Sequence, residues 1–170
     1  MNTKAGQGGF TLIELVVVIT LISILAAVVM PRLADLSDDA HRASVDGVAG
    51  AFTVGVNLAH AQWIAKGKPD NVDDLPGFGR GDVNLSQLGW PVGTSGSDNS
   101  ATMNVTRCIE VWDALLIDQA PRVGTSTTVD YGVALGGTVN ECVYTYQGGG
   151  GVARTIAYNA ATGDVVKNNI

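Results

Sequence analysis

One acid stands inside the most apolar stretch of the chain. Residues 10–30, FTLIELVVVITLISILAAVVM, are almost uninterrupted hydrophobic side chains, and Glu14 is their sole charge. A helix of this length is about 31 Å long, enough to cross the hydrocarbon core of a bilayer. A carboxylate in such a segment costs roughly 2.5–3.5 kcal/mol at the bilayer centre and less near an interface. Anchoring alone does not ask for it, so the acid calls for a partner. Cutting the chain between Gly9 and Phe10 would create one. Phe10 would then carry an ammonium group, and Glu14, four residues on, lies one turn away on the same helix face. Gly8 and Gly9 lack side chains, which lets a protease take this segment extended. An ordinary signal peptide has a shorter apolar region followed by a small-residue cleavage site. Here the nearest small pair, Ala26-Ala27, lies inside the run. A plain signal anchor is the alternative, and it leaves Glu14 unexplained.

The other residues able to do chemistry are scattered. Cys108 and Cys142 are 34 positions apart, with no C-x-x-C and no clustered histidine, which argues against zinc. They fit an exported domain with one disulfide, worth about 3–4 kcal/mol on the chain-entropy model; two buried free thiols are the alternative. His41 and His60 lie on one helical segment about 28 Å apart, too far to share a metal. The acid pairs Asp38-Asp39 and Asp73-Asp74 lack the spacing of a calcium loop and read as solvated acids. The glycine runs at 77–81 and 148–151 have no phosphate-loop lysine and read as turns. No G-x-S-x-G occurs. Asn84-Leu-Ser86 and Asn104-Val-Thr106 match the glycosylation sequon, a match that arises readily by chance in polar loops. No catalytic constellation is visible, so the chain reads as no enzyme, with no cofactor and no metal.

The elements that position these residues start with one long helix over residues 10–66. After Pro31 the stripe of Leu33, Leu36, Ala40, Ala43, Val48, Ala51, Ala59 and Trp63, widened by Val45, Phe52 and Val56, keeps the three-and-four spacing. Lys66, Gly67 and Pro69 supply the stop. Pro31 removes a backbone bond and should kink or loosen the rod. Gly47, Gly50 and Gly55 each cost about 1 kcal/mol relative to Ala; they are expected to pack closely on a C-terminal sheet, the alternative being a compliance that assembly with other copies of the chain could use. Residues 67–104 form a polar connection with a short strand or two and one apolar island around Trp90. A helix follows over 104–118, then strands over 129–135, 141–147, 153–159 and 163–167, joined as antiparallel hairpins. The arrangement is α+β, a long helix on a C-terminal antiparallel sheet.

The stretch GGFTLIELVVVITLISILAAVVMPR resembles the class III signal of type IV pilins and type II secretion pseudopilins. In that family a short polar leader ends in Gly, Phe follows, a Glu comes four residues on and a Pro closes the span. Gly9, Phe10, Glu14 and Pro31 are the matching residues. The resemblance implies cleavage after Gly9 and N-methylation of Phe10 by a membrane prepilin peptidase. It also implies assembly through Glu14 and the helix up to Pro31, a pilin fold, and a disulfide that staples the C-terminal region. Residues 1–9 would then be the leader, 10–31 the transmembrane and assembly helix, 32–66 its amphipathic half, and 67–170 the globular part. The segments PRLADLSDDAHRASVDGVAGA, GWP and YNAATGDVV look like the mannose-sensitive haemagglutinin group of type IVa pilins.

Composition agrees. The formal charge is −6, and removing Lys4 with the leader leaves nine basic against sixteen acidic residues, a net −7. That balance argues against a nucleic-acid partner. Lys4 before the span places the N-terminus in the cytoplasm, while Arg32 just beyond it argues weakly the other way. The expected life history is a precursor in the inner membrane with a periplasmic globular part, then a homo-oligomeric helical filament outside the cell, built with the pilus assembly machinery and used for surface attachment. The alternatives are a secretion pseudopilin or minor pilin, and a membrane-anchored binding domain that never polymerises.

Overall fold

The computed structural model describes residues 9–67, 70, 72–96, 100–117, 120–148 and 151–169. The leader residues 1–8, Pro69 and the turn positions 149–150 lie outside them. The chain divides into two compact units, Met1–Ala40 and His41–Ile170, and α1 (Leu12–Ala65) contributes to both.

In the first unit α1 is bare helix. Its most apolar window has a mean hydropathy of 2.9, and none of that window is buried within the chain. The few polar side chains look after themselves. Thr20 Oγ1 donates to the Val17 carbonyl (2.8 Å) and Ser23 Oγ to the Ile19 carbonyl (2.7 Å). Bonds of this kind are what a segment needs where no water is available. Helix continues through Pro31, although proline has no N–H to give the Ala27 carbonyl.

In the second unit α1 turns one face to a core. Val45, Ala49, Phe52, Val56, Ala59 and Trp63 are buried at alternating steps of four and three. This face differs from the expected stripe: Ala43 and Ala51 are exposed, and so are Leu33 and Leu36 in the first unit. Three- and four-residue spacing permits two phases on a helix this rich in small residues, and the aromatics Phe52 and Trp63 decide between them. Phe52 sits 5.6 Å, centroid to centroid, from each of Trp112, Tyr144 and Tyr158.

After α1 come β1 (Asn84–Leu85) and β2 (Pro91–Gly93), an antiparallel pair, and α2 (Val105–Leu116). Asn104 caps α2, its side chain accepting from Arg107 N at 2.9 Å. β3 (Val123–Gly124), β4 (Tyr131–Leu135), β5 (Glu141–Tyr146), β6 (Thr155–Asn159) and β7 (Val165–Asn168) form one sheet in sequence order. The four long strands are antiparallel, close to the predicted bounds. The exception is β3, which runs parallel to β4, so the sheet is mixed at that edge. Alternation puts Tyr131, Val133, Cys142, Tyr144, Ile156 and Tyr158 on the core face. Cys108 and Cys142 are joined by a disulfide, linking α2 to β5.

The helix glycines do not pack as expected. A Cβ on Gly55 would stand 3.1 Å from Leu115 Cβ, so this glycine lets α1 approach α2, not the sheet. Gly47 and Gly50 face open space. Trp90 is wedged between elements: His60 stacks on it at 3.8 Å, and a Cβ on Gly163 would overlap its indole. Gly163 also has φ +78°, so turn geometry and the close approach both require glycine.

Candidate processing and assembly site

The residues around the expected cleavage point form the first turn of α1. Thr11 precedes the helix and Glu14 is its third residue, a spacing that permits reciprocal capping. Thr11 N donates to Glu14 Oε2 at 3.0 Å, Thr11 Oγ1 donates to the same oxygen at 2.8 Å, and Glu14 N donates back to Thr11 Oγ1 at 3.3 Å. Two helix-end donors are thus satisfied inside the chain, which matters most at a membrane surface. Oε2 takes both Thr11 bonds; Oε1 has no partner among the described residues. Beside it lies an apolar cleft of about 350 Å³ lined by Phe10, Ile13, Glu14, Val17 and Val18. Thr11 is the residue that sequence reasoning missed. The T-x-x-E pattern ahead of an apolar run was its available signal.

Around the cut itself little is packed. Phe10 is 81% exposed, and a Cβ on Gly9 would meet nothing within 4 Å. Nothing in the chain's own fold therefore demands glycine at position 9. In this uncleaved chain the Phe10 nitrogen belongs to a peptide bond, so it carries no charge to offer Glu14.

The other candidate residues are absorbed by packing. His41 Nδ1 lies 3.0 Å from the Tyr146 hydroxyl, and His60 Nδ1 lies 3.0 Å from the Gly89 carbonyl. Asn84, of the first sequon, is buried; its side chain accepts from Asp74 N and donates to the Gly96 carbonyl, both at 2.9 Å. Asn104, of the second, is the α2 cap. Among the described residues no group of three or more His, Cys, Asp or Glu could hold a metal ion.

Comparison with known proteins bears on this first turn and on the rest of the chain. Residues 4–30 match the model of the prokaryotic N-terminal methylation motif. The chain is 42% identical over 98 residues to the type IV narrow pilus major component PilA5 of Thermus thermophilus, a match covering 56% of this chain and 76% of that protein. The chain belongs to the type IV pilin family. No solved structure matches this pilin. Its apolar helix, mixed α+β layout and disulfide are those of a pilin subunit, a structural protein. The methylation motif spans the Gly9–Phe10 junction and the capped turn of this pilin together.

Proposed function

We propose that this pilin is a structural subunit of an extracellular type IV pilus used for surface attachment. The prepilin peptidase cuts it after Gly9 and methylates the new Phe10 nitrogen. Residues 10–31 hold the precursor in the inner membrane, with the N-terminus cytoplasmic and the globular part periplasmic. The assembly machinery then moves that segment into a homo-oligomeric filament. There Glu14 pairs with the Phe10 ammonium of its own or a neighbouring subunit, and Pro31 marks the end of the packed segment. The observation that carries this reading is the fully exposed apolar helix with a single carboxylate, Glu14, in its first turn. Apolar contacts alone do not distinguish lipid from a neighbouring helix, so a polar pair must set register. PilA5 is a major component of its pilus, which supports an abundant subunit here. The motifs at 31–51, 89–91 and 158–166 support placement in the mannose-sensitive haemagglutinin group.

The test is the intact mass, with terminal fragmentation, of the protein in filaments sheared from cells. A chain beginning at N-methyl-Phe10 in that fraction is the expected result. A processed chain confined to membranes would favour the pseudopilin or minor-pilin role. A chain still beginning upstream of Phe10 would overturn the processing site.

A further inference from the structure

The four tyrosines of the chain differ in where their hydroxyl protons can go. Tyr144 and Tyr158 are fully buried and donate to backbone carbonyls, and the buried Tyr131 hydroxyl has no partner among the described residues. Tyr146, half-buried at the end of β5, meets a titratable base: His41 Nδ1 on α1 lies 3.0 Å from its hydroxyl. With the ring proton on Nε2, the imidazole accepts from the phenol at Nδ1.

That difference governs oxidation. A phenol stripped of one electron becomes a very strong acid, so it gives up the electron readily only where a base receives the proton. A base within about 2.6–3.2 Å can take the proton as the electron leaves. The Cys108 and Pro91 carbonyls accept hydrogen bonds but are far too weakly basic to hold a proton, and Tyr131 has no acceptor among the described residues. Burial also pushes these three phenols above the usual tyrosine value, which opposes proton loss further. Of the four, Tyr146 is the one placed to lose an electron and a proton together.

The rings form a line that ends there. Trp112 stands 4.5 Å from Tyr144 and 4.8 Å from Tyr131, centroid to centroid, and Tyr131 stands 5.4 Å from Tyr146. His41 closes the line, 5.7 Å from Tyr146. Aromatic rings this close exchange electrons readily, so an electron missing from Trp112 or Tyr144 can be refilled in steps that finish at Tyr146. The inner end of the line lies beside the disulfide, since Trp112 is one helical turn from Cys108 and Tyr144 donates to the Cys108 carbonyl. The outer end is half-buried, within reach of small molecules in solution. We propose that Tyr146 and His41 form a proton-coupled redox site at which one-electron oxidation of the aromatic core comes to rest. A one-electron oxidant such as a peroxyl radical takes the electron and leaves as its anion. The Tyr146 O–H bond breaks, its proton forms a new N–H bond at His41 Nδ1, and a neutral tyrosyl radical remains beside an imidazolium. A reductant of the ascorbate or thiol class then returns one electron, and His41 returns the proton.

This proposal does not depend on filament assembly. The test is flash oxidation of the detergent-solubilised, full-length chain by photogenerated tris(bipyridine)ruthenium(III), read by electron paramagnetic resonance, transient absorption and peptide mass mapping. A tyrosyl signal is expected in the wild-type chain, forming more slowly in heavy water because a proton moves with the electron. Tyr146→Phe should abolish that signal and raise oxidation products at Trp112 and Tyr131 severalfold. His41→Asn keeps a side-chain acceptor on this turn but no group able to hold the proton. It should slow radical formation about a hundredfold, the low end of what a positioned base contributes. Thermal unfolding checks that both variants fold, and the heavy-water comparison needs no variant. A tyrosyl signal that survives Tyr146→Phe, or none in the wild-type chain, would overturn the proposal. An unchanged rate in His41→Asn or in heavy water would overturn it as well, since exposure alone would then select Tyr146. Unchanged damage at Trp112 and Tyr131 in Tyr146→Phe would overturn the drainage of the core.

Discussion

Three tyrosines on the core face make a graded test of how this domain is held together. Tyr144 donates to the Cys108 carbonyl and Tyr158 to the Pro91 carbonyl, each at 2.8 Å and each fully buried. The Tyr131 hydroxyl is buried with no partner among the described residues. Replacing each by Phe keeps ring packing and removes only the oxygen. Tyr158→Phe leaves a buried carbonyl short of a donor and should cost about 1–3 kcal/mol. Tyr144→Phe should cost less, about 1 kcal/mol, because the Cys108 carbonyl lies inside α2 and keeps its helical donor. Tyr131→Phe should be neutral or stabilising, since it removes a polar group that is desolvated and unpaid. Thermal unfolding of the oxidised, detergent-solubilised chain reads the order, with about 2–4 °C in Tm for each kcal/mol at this size. The reasoning fails if Tyr131→Phe lowers Tm as far as Tyr158→Phe does. That result would mean the Tyr131 hydroxyl has a bond that the side-chain geometry does not reveal.

Burial also pushes all three of these phenols above the usual tyrosine value near 10. In the unfolded chain they lose protons from about pH 10 while the folded chain keeps them, so stability is intact below that pH and falls above it. Each contributes about 1.4 kcal/mol per pH unit, and a denaturant titration between pH 9 and 11 should show the onset near the ordinary tyrosine pKa, about 10. Glu14→Val should still be inserted and cleaved but yield few filaments; normal yield by shearing and immunoblot would remove the pairing role. Gly50→Ala should stabilise by about 0.5–1 kcal/mol, since its Cβ meets nothing, whereas Gly55→Ala should gain nothing because Leu115 is 3.1 Å away. Equal gains in urea unfolding would contradict the close α1–α2 contact.

Much of this architecture was legible because periodicity and punctuation agree. The strands over 131–135, 141–146 and 155–159 put large residues such as Tyr131, Tyr144 and Tyr158 on the core face at every second position, and glycines mark their turns. Two kinds of feature were not legible. One is phase: Ala43, Ala51, Gly47 and Gly50 satisfy helical spacing as well as Ala49 does, and only the partners of Phe52 select the buried face. The other is local pairing with weak sequence cost. The two-residue strand β3 has no alternation to read, and its parallel pairing with β4 sits beside the exposed Arg122–Asp130 ion pair, which no spacing announces. At the candidate processing site, Gly9, Phe10 and Glu14 stand out by type, whereas Thr11 shows only through its T-x-x-E spacing, a short pattern easily passed over at the start of an apolar run.

The capped turn also bears on why assembly can be specific in so greasy a segment. Thr20 and Ser23 spend their hydroxyls on their own helix, and Thr11 occupies one oxygen of Glu14. That leaves Glu14 Oε1 as the polar acceptor of the first turn with no partner among the described residues. Cleavage would supply a matching donor within one turn, by turning the Phe10 peptide nitrogen into an ammonium. Before the cut, the box shields half of the carboxylate and lowers the cost of holding it at the membrane surface. After it, the other half would have a countercharge that exists only on processed chains. A register set by that single pair would reject uncut subunits without any further recognition element, since an uncut neighbour offers an uncharged amide at the same place. On this view Thr11→Val should impair the precursor's helix start while sparing the pair itself, so processed Thr11→Val subunits should assemble better than Glu14→Val subunits. Filament yields measured side by side decide it, and equal failure of the two would place the whole polar cluster, not one carboxylate oxygen, in charge of register.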